Sequence, residues 1–331
     1  MRGTRRALAL AVCLGLAATA HAADDGRTTG PSLGDVMKDP DRTVGFVRKI
    51  VSVPGGSDRV CQVWVPLDYT ASRKWPVILY LHGAGECGTS GEEVLAQGLP
   101  KEIQRRDGRF EFIVVMPQCW NSQVGWRGAP LDVAMGALYG ALKEYACDES
   151  RVYLTGLSMG GHGTYRLAMK YPNMFAAIVP VSGGGDANRA AEIAHLPVWI
   201  WHGADDQTVP VDGARKMAEA LRKAEDADVK YTELPGVGHN AWDPAYAGDD
   251  LWTWLLGHRL SKERIDQRKK ADEQQRQQDQ QSETADGKKP QKTRKMDGKM
   301  HPMDGKMSPM DGKMHSMERG KFKPIGKAGS P

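Results

Sequence analysis

Between residues 152 and 171 the chain reads as an apolar run, a small-residue turn and an amphipathic stretch, and the turn is Gly156-Leu157-Ser158-Met159-Gly160. A glycine two positions before the serine and another two after it leave space that side chains would fill. The backbone can therefore pass from strand to helix within a residue or two and lift the serine hydroxyl above the end of the strand. The helix N-terminus behind that hydroxyl favours developing negative charge. A turn of this kind needs a strand that feeds directly into a covering helix, and the rest of the chain must supply the sheet around it.

It does. From about residue 44 to 258 short apolar runs alternate with amphipathic stretches, the pattern of a largely parallel α/β sheet. Strands are predicted over 44–53, 60–66, 77–81, 112–116, 152–155, 177–181, 198–201 and 229–234. Helices are predicted over 131–145, 160–171, 213–223 and 246–260. Most of the later strands are nearly all apolar, as expected where helices cover both faces. No insertion is long enough for a large lid domain, so an open site is expected.

The ends of the chain differ in character from this middle. Arg2, Arg5 and Arg6 precede an apolar run too short to span a bilayer, and Ala20-His21-Ala22 follows it. This is the order of a secretory signal, with cleavage expected after Ala22. No other stretch is long and apolar enough for a membrane helix. The expected organisation is a signal peptide at 1–22, an N-terminal segment at 23–43, a catalytic domain at 44–260 and a disordered basic tail at 261–331, whose charged, glutamine-rich stretch 261–281 also reads as a frayed helical extension. With Cys13 removed, Cys61, Cys87, Cys119 and Cys147 remain, and an oxidising compartment permits two disulfides. Cys87 with Cys119 is the preferred pair, since both fall on loops leaving neighbouring strands at one rim; free buried thiols are the alternative.

The formal net charge of +4 hides two regions of opposite sign. The segment 261–331 carries 18 Lys and Arg against 11 Asp and Glu, and the remainder is net acidic. The basic balance thus belongs to the tail and implies no nucleic-acid partner for the folded domain.

A serine nucleophile needs a base and an orienting acid. His239 lies in Gly236-Val237-Gly238-His239, after the last predicted strand, and Asp206 follows the strand at 198–201. A carboxylate there can hold the imidazole in the tautomer that accepts the Ser158 proton. Asp205 is the competing acid, with a turn or cap role as its alternative; His202 and His162 read as structural residues. The loop after 77–81, His82-Gly83-Ala84-Gly85-Glu86, lets backbone approach a substrate closely. The N–H groups of Ala84 and Met159 are the expected oxyanion donors. Glu86 reads as a substrate contact or as a hydrogen-bonding brace for that loop. Trp126 and Trp242 read as walls of an acyl pocket or as half-buried packing residues.

The strings L-H-G-A-G-E, M-P-Q-C, D-E-S-R-V-Y-L-T-G-L-S-M-G-G-H-G-T, W-H-G-A-D-D-Q-T-V-P and G-V-G-H-N-A-W occur in this order. Together they resemble an exported esterase and peptidase-like group of the α/β-hydrolases, related to feruloyl and acetyl xylan esterases and to polyhydroxyalkanoate depolymerases. The similarity covers residues 44–260. It implies the α/β-hydrolase fold and an ester-hydrolysing triad of Ser158, Asp206 and His239, without a cofactor. It implies an ester substrate, polysaccharide-linked acetyl or feruloyl esters among the options. The sequence departs from the group at Cys87, where a basic residue is expected.

The tail raises a separate question. Met-Asp-Gly-Lys-Met occurs three times with a period of seven, but the Asp-Gly pairs and intervening prolines exclude a stable coiled coil. Bulky aliphatic residues are almost absent, so the segment cannot offset its ordering entropy. Met296, Met300, His301, Met303, Met307, Met310, Met314 and His315 present soft ligands suited to Cu(I), although the lysine in each repeat opposes a cation. Three readings stay open: an exported serine carboxylesterase, a serine peptidase with the same triad, and a copper-binding envelope protein acting through its tail.

Overall fold

The computed structural model describes residues 32–52, 57–225, 227–286 and 322–323. The signal segment, the Met-Asp-Gly-Lys-Met repeats and the copper-ligand candidates of the tail lie outside the described residues. Strands β1 (Gly45–Val51) and β2 (Arg59–Val65) form an antiparallel pair at one side of the sheet. Strands β3 (Trp75–Leu81), β4 (Ile113–Pro117), β5 (Cys147–Leu157), β6 (Ala177–Val181), β7 (Val198–Gly203) and β8 (Val229–Leu234) are all parallel to one another. The order across the sheet is β8-β7-β6-β5-β3-β4-β2-β1, and a two-residue strand β9 (Phe322–Lys323) adds to β1 antiparallel.

The central strands show why the apolar runs are continuous. All seven residues of β3 are buried. Val77, Leu79 and Leu81 point into the layer shared with helices α3 (Ala129–Glu144), α4 (Met159–Lys170) and α5 (Asp212–Leu221). Ile78 and Tyr80 point into the opposite layer, with α2 (Leu99–Arg105), α6 (Trp242–Ala247) and α7 (Asp249–Gly257). Each fully buried aliphatic side chain contributes about 1.5–3 kcal/mol, so a strand buried on both faces carries two cores at once. A short helix α1 (Leu33–Val36) precedes the sheet, capped by the Ser32 hydroxyl.

Three elements depart from the sequence expectation. The stretch between β3 and β4, given no helix from sequence, contains α2, whose Pro100 occupies the first turn, where a missing N–H costs nothing. The single helix expected over 246–260 is two helices, because Gly248 takes an extended conformation that ends α6 and starts α7. The tail at 261–331 begins with a helix, α8 (Lys262–Asp286), which follows the helical alternative for 261–281 and runs past it. It is anchored by Arg264 to the carbonyls of Pro172 and Phe175, and by Arg268 to Glu149. Among the described residues no helix is long and apolar enough to cross a membrane.

The preferred disulfide is not formed. The loops after β3 and β4 do bring Cys87 and Cys119 together, but both are free. Cys119 Sγ also lies near the carbonyls of Asn121 and Gly125, at 3.5 and 3.6 Å. Cys61 and Cys147 are free and buried.

Candidate active site

All the loops that carry the sequence-derived candidates leave the C-terminal ends of parallel strands, the rim where open α/β sheets hold their ligands. The tightest is the β5–α4 turn. Ser158 sits at φ 54°, ψ −115°, a conformation that L-residues rarely adopt and that costs of order 1–3 kcal/mol. The flanking glycines make it possible. A Cβ on Gly156 would meet the carbonyl oxygen of Gly160 at 2.5 Å, and a Cβ on Gly160 would meet that of Leu81 at 1.9 Å. The Ser158 N–H donates to the Val181 carbonyl at 2.9 Å, which ties the turn to the end of β6.

Three side chains from three loops form one hydrogen-bonded chain. Ser158 Oγ lies 2.8 Å from His239 Nε2, and His239 Nδ1 lies 2.7 Å from Asp206 Oδ2. The other oxygen of Asp206 accepts the N–H groups of Thr208 and Val209, both at 2.9 Å. Burial would push the Asp206 carboxyl up, but the His239 hydrogen bond and these two amides outweigh it and hold the group below the ordinary carboxylate value. Asp205, the competing acid, is exposed and outside this chain; its backbone N–H closes the loop onto Val237.

Two further residues support the arrangement: His202, read from sequence as structural, and Ser182, which sequence reading misses. His202, fully buried, places Nε2 3.1 Å from Asp206 Oδ2 and 2.8 Å from the Val209 carbonyl. Ser182, at the end of β6 and also at positive φ, donates its hydroxyl to the His239 carbonyl at 2.8 Å. Its position at the rim directly after an apolar strand is the only signal that sequence offers.

The loop after β3 lies over the nucleophile: a Cβ on Gly83 would come within 3.7 Å of Ser158 Cβ. Glu86 is buried beneath this loop, accepting the Gly83 N–H at 2.8 Å and the Gln97 side-chain amide at 2.5 Å. It therefore braces the loop and does not face the cleft. With Gly83 N–H engaged, the amides left without an acceptor among the described residues include those of Ala84 and Met159. His82 Nε2 accepts the Cys119 N–H at 2.9 Å, so the ring proton resides on Nδ1 and is donated to the Gly83 carbonyl at 2.7 Å. Gln118 adds a short amide hydrogen bond to the Glu86 carbonyl.

Beside Ser158 opens a cleft of about 260 Å³, whose lining includes Trp126, Arg127, Met159, His162, Arg166 and Val209. Trp126 is buried, and its indole N–H donates to the His82 carbonyl at 2.9 Å, so it forms the cleft floor and braces the loop as well. Trp242 does not line the cleft. It packs edge-on against the His239 imidazole, with ring centres 5.2 Å apart. His162 hydrogen-bonds the backbone of Gly184, and burial lowers its pKa, so it stays neutral. Among the described residues no group of three His, Cys, Asp or Glu side chains is arranged to hold a metal ion.

Comparison with known proteins agrees with this geometry. A phospholipase/carboxylesterase family profile matches residues 134–246, the stretch that contains Ser158, Asp206 and His239. A probable feruloyl esterase C of Aspergillus niger is 29% identical over 188 residues, covering 54% of this chain and 66% of the relative. A bifunctional acetylxylan esterase/xylanase of Neocallimastix patriciarum is 37% identical over 114 residues, which is 32% of this chain and 17% of that protein. The chain thus spans about two thirds or less of the length of these curated relatives. Among solved structures, a thermostable esterase superposes with a TM-score of 0.56 at 32% identity, covering 65% of this chain and 63% of that one. The sheet order, the strand–turn–helix at Ser158 and these similarities agree: the chain has the α/β-hydrolase fold and is similar, over part of its length, to feruloyl and acetylxylan esterases.

Proposed function

We propose that the protein is an exported serine carboxylesterase that hydrolyses acyl esters through Ser158, His239 and Asp206. The single observation that carries this reading is the unbroken hydrogen-bonded chain from Ser158 Oγ to Asp206. Polysaccharide-linked acetyl or feruloyl esters are the proposed substrates, by analogy with the relatives' names. The basic, apolar and small-residue order of residues 1–22 supports export.

In this reading Ser158 Oγ attacks the ester carbonyl while His239 Nε2 takes its proton. Asp206 stays ionised and holds the imidazole with Nε2 facing the serine. The amides of Ala84 and Met159 receive the negative charge that develops on the carbonyl oxygen; each donor of this kind contributes about 10²–10³ in rate. His239 then returns the proton to the leaving alcohol, and water attacks the acyl-enzyme by the same route. An alkoxide or phenolate leaves more readily than an amine, which favours esters over peptides.

Turnover of p-nitrophenyl acetate, p-nitrophenyl butyrate, methyl ferulate and a peptide anilide tests the reading, with Ser158→Ala as control. The expected result is ester hydrolysis that falls by roughly 10⁶ in kcat in the variant. Turnover of the anilide alone would convert the reading to a peptidase.

A further inference from the structure

His162 and Arg166 follow Ser158, the cap residue of α4, at intervals of four, and side chains so spaced lie along one side of a helix. That side faces the cleft. The loop after β4 brings Arg127 to the same cleft, directly after Trp126. Two guanidinium groups therefore share a cavity with the serine hydroxyl, and no acidic residue lines it. Several arginines elsewhere in the fold find carboxylates, as Arg106 does at Glu102, Arg151 at Asp148, Arg215 at Glu233 and Arg268 at Glu149, and others find carbonyls or a ring, as Arg264 does at Pro172 and Phe175 and Arg59 at Trp120. Arg127 and Arg166 make no such ion pair among the described residues. Arg166 is half-buried, and its burial together with the repulsion of Arg127 disfavours its charged form. His162 between them is neutral and tied to Gly184. The fold thus maintains two like charges, one of them partly desolvated, with nothing of its own to neutralise them.

We propose that Arg127 and Arg166 form an anion-binding subsite beside Ser158, through which the enzyme selects esters that carry a carboxylate near the scissile bond. The assignment rests on the esterase reading given above. A guanidinium presents paired N–H donors in a planar fork that matches a carboxylate, and hydrogen bonds of this charge-assisted kind exceed neutral ones. The ligand supplies the counter-charge that the cleft lacks, and its seat within the same 260 Å³ cavity as Ser158 limits how far the carboxylate stands from the ester. Uronate-bearing saccharide esters and dicarboxylic half-esters have this chemistry; simple acetyl esters do not.

Two matched substrate pairs test the subsite and locate the charge. The p-nitrophenyl half-ester of adipic acid and its neutral methyl adipate counterpart differ in charge on the acyl side. The 4-acetoxybenzoate anion and 4-acetoxybenzamide differ on the alcohol side. At low ionic strength, wild-type enzyme is expected to prefer the anionic member of at least one pair by about ten- to a hundred-fold in kcat/KM, the range of a charged hydrogen bond. The preference should reside mainly in KM and shrink as salt is added. Arg127→Gln and Arg166→Gln should each reduce the ratio, and the double variant should bring it close to unity. Because the ratio is taken within each variant, loss of folded protein cancels. Wild-type enzyme that hydrolyses the neutral esters but discriminates in neither pair would overturn the subsite while leaving the esterase reading intact. Absence of Ser158-dependent turnover on all four substrates would overturn both.

Discussion

Replacing His82 by glutamine removes one buried titrating group from the loop that covers Ser158, and its cost in acid can be worked out beforehand. His82 has no exposed surface, and its Nε2 already accepts the Cys119 N–H. A second proton there would face a donor with no acceptor nearby. Burial lowers its pKa from 6.5 to about 4, against a smaller opposing effect from the Gly83 carbonyl. The unfolded chain takes up a proton below pH 6.5 and the folded chain does not until about pH 4, so this contribution to stability is intact above about 6.5. It is lost as the pH falls through that window and is constant below it. At 1.36 kcal/mol per unit, the full loss is about 3 kcal/mol, of which about 2 is reached by pH 5. Urea unfolding followed by tryptophan fluorescence at pH 7.5 and pH 5 measures it. Every other ionisable group is common to both proteins and cancels in the comparison. Wild type should therefore lose about 2 kcal/mol more than His82→Gln between the two pH values. An equal loss in both proteins would refute the reasoning, since it would mean that His82 is protonated in the fold or accessible to water.

Other consequences are as direct. Gly160→Ala drives a methyl group into the Leu81 carbonyl at 1.9 Å, a backbone atom that cannot yield without moving the loop before Gly83. It should cost more than about 3 kcal/mol in urea unfolding and abolish ester turnover; a variant of wild-type stability would contradict the close approach. Asp206→Asn keeps the shape but lets His239 adopt the wrong tautomer, so kcat should fall by about 10⁴, whereas Asp205→Asn at the exposed neighbouring position should change it little. Burial raises the Cys87 and Cys147 thiols to about 12 and pushes Cys61 and Cys119 up as well. The native protein should therefore react with a disulfide reagent at pH 8 at least about 10²-fold more slowly than the urea-unfolded chain, and rapid labelling of Cys87 in the native state would contradict its environment.

How much of this was legible in the chain follows from where the information resides. Strands 177–181 and 229–234 read correctly to both ends, because apolar or alternating runs bounded by turn residues are a local signal. The order of Ser158, Asp206 and His239, each on the loop after a strand, is also local, and the sheet only has to bring those loops to one rim. Where the reading failed, a neighbour in space decided the outcome. Pro100 marks a helix start because α2 packs its Leu99 and Ile103 into the core. Gly248 divides a helical pattern in two, and α8, read as a frayed extension, is held by carbonyls and a carboxylate more than eighty residues away. Ser182 supports His239 through a contact between the ends of separate strands, which no spacing reveals, whereas His202 reaches Asp206 locally, four residues along the chain. The face shared by Ser158, His162 and Arg166 is visible in their interval of four. The arrival of Arg127 from the loop after β4 is not.

The central claim is that Ser158 is the nucleophile of an ester hydrolase, and active-site labelling tests it most directly. The full-length protein is treated with a fluorophosphonate, digested and sequenced by mass spectrometry, with residual turnover of p-nitrophenyl butyrate measured on the same sample. The expected result is one adduct per chain, on the peptide containing Ser158, with activity lost in proportion to labelling and neither labelling nor turnover in Ser158→Ala. Undiminished ester turnover in a fully labelled sample, or an adduct on another serine that tracks the loss of activity, would contradict it.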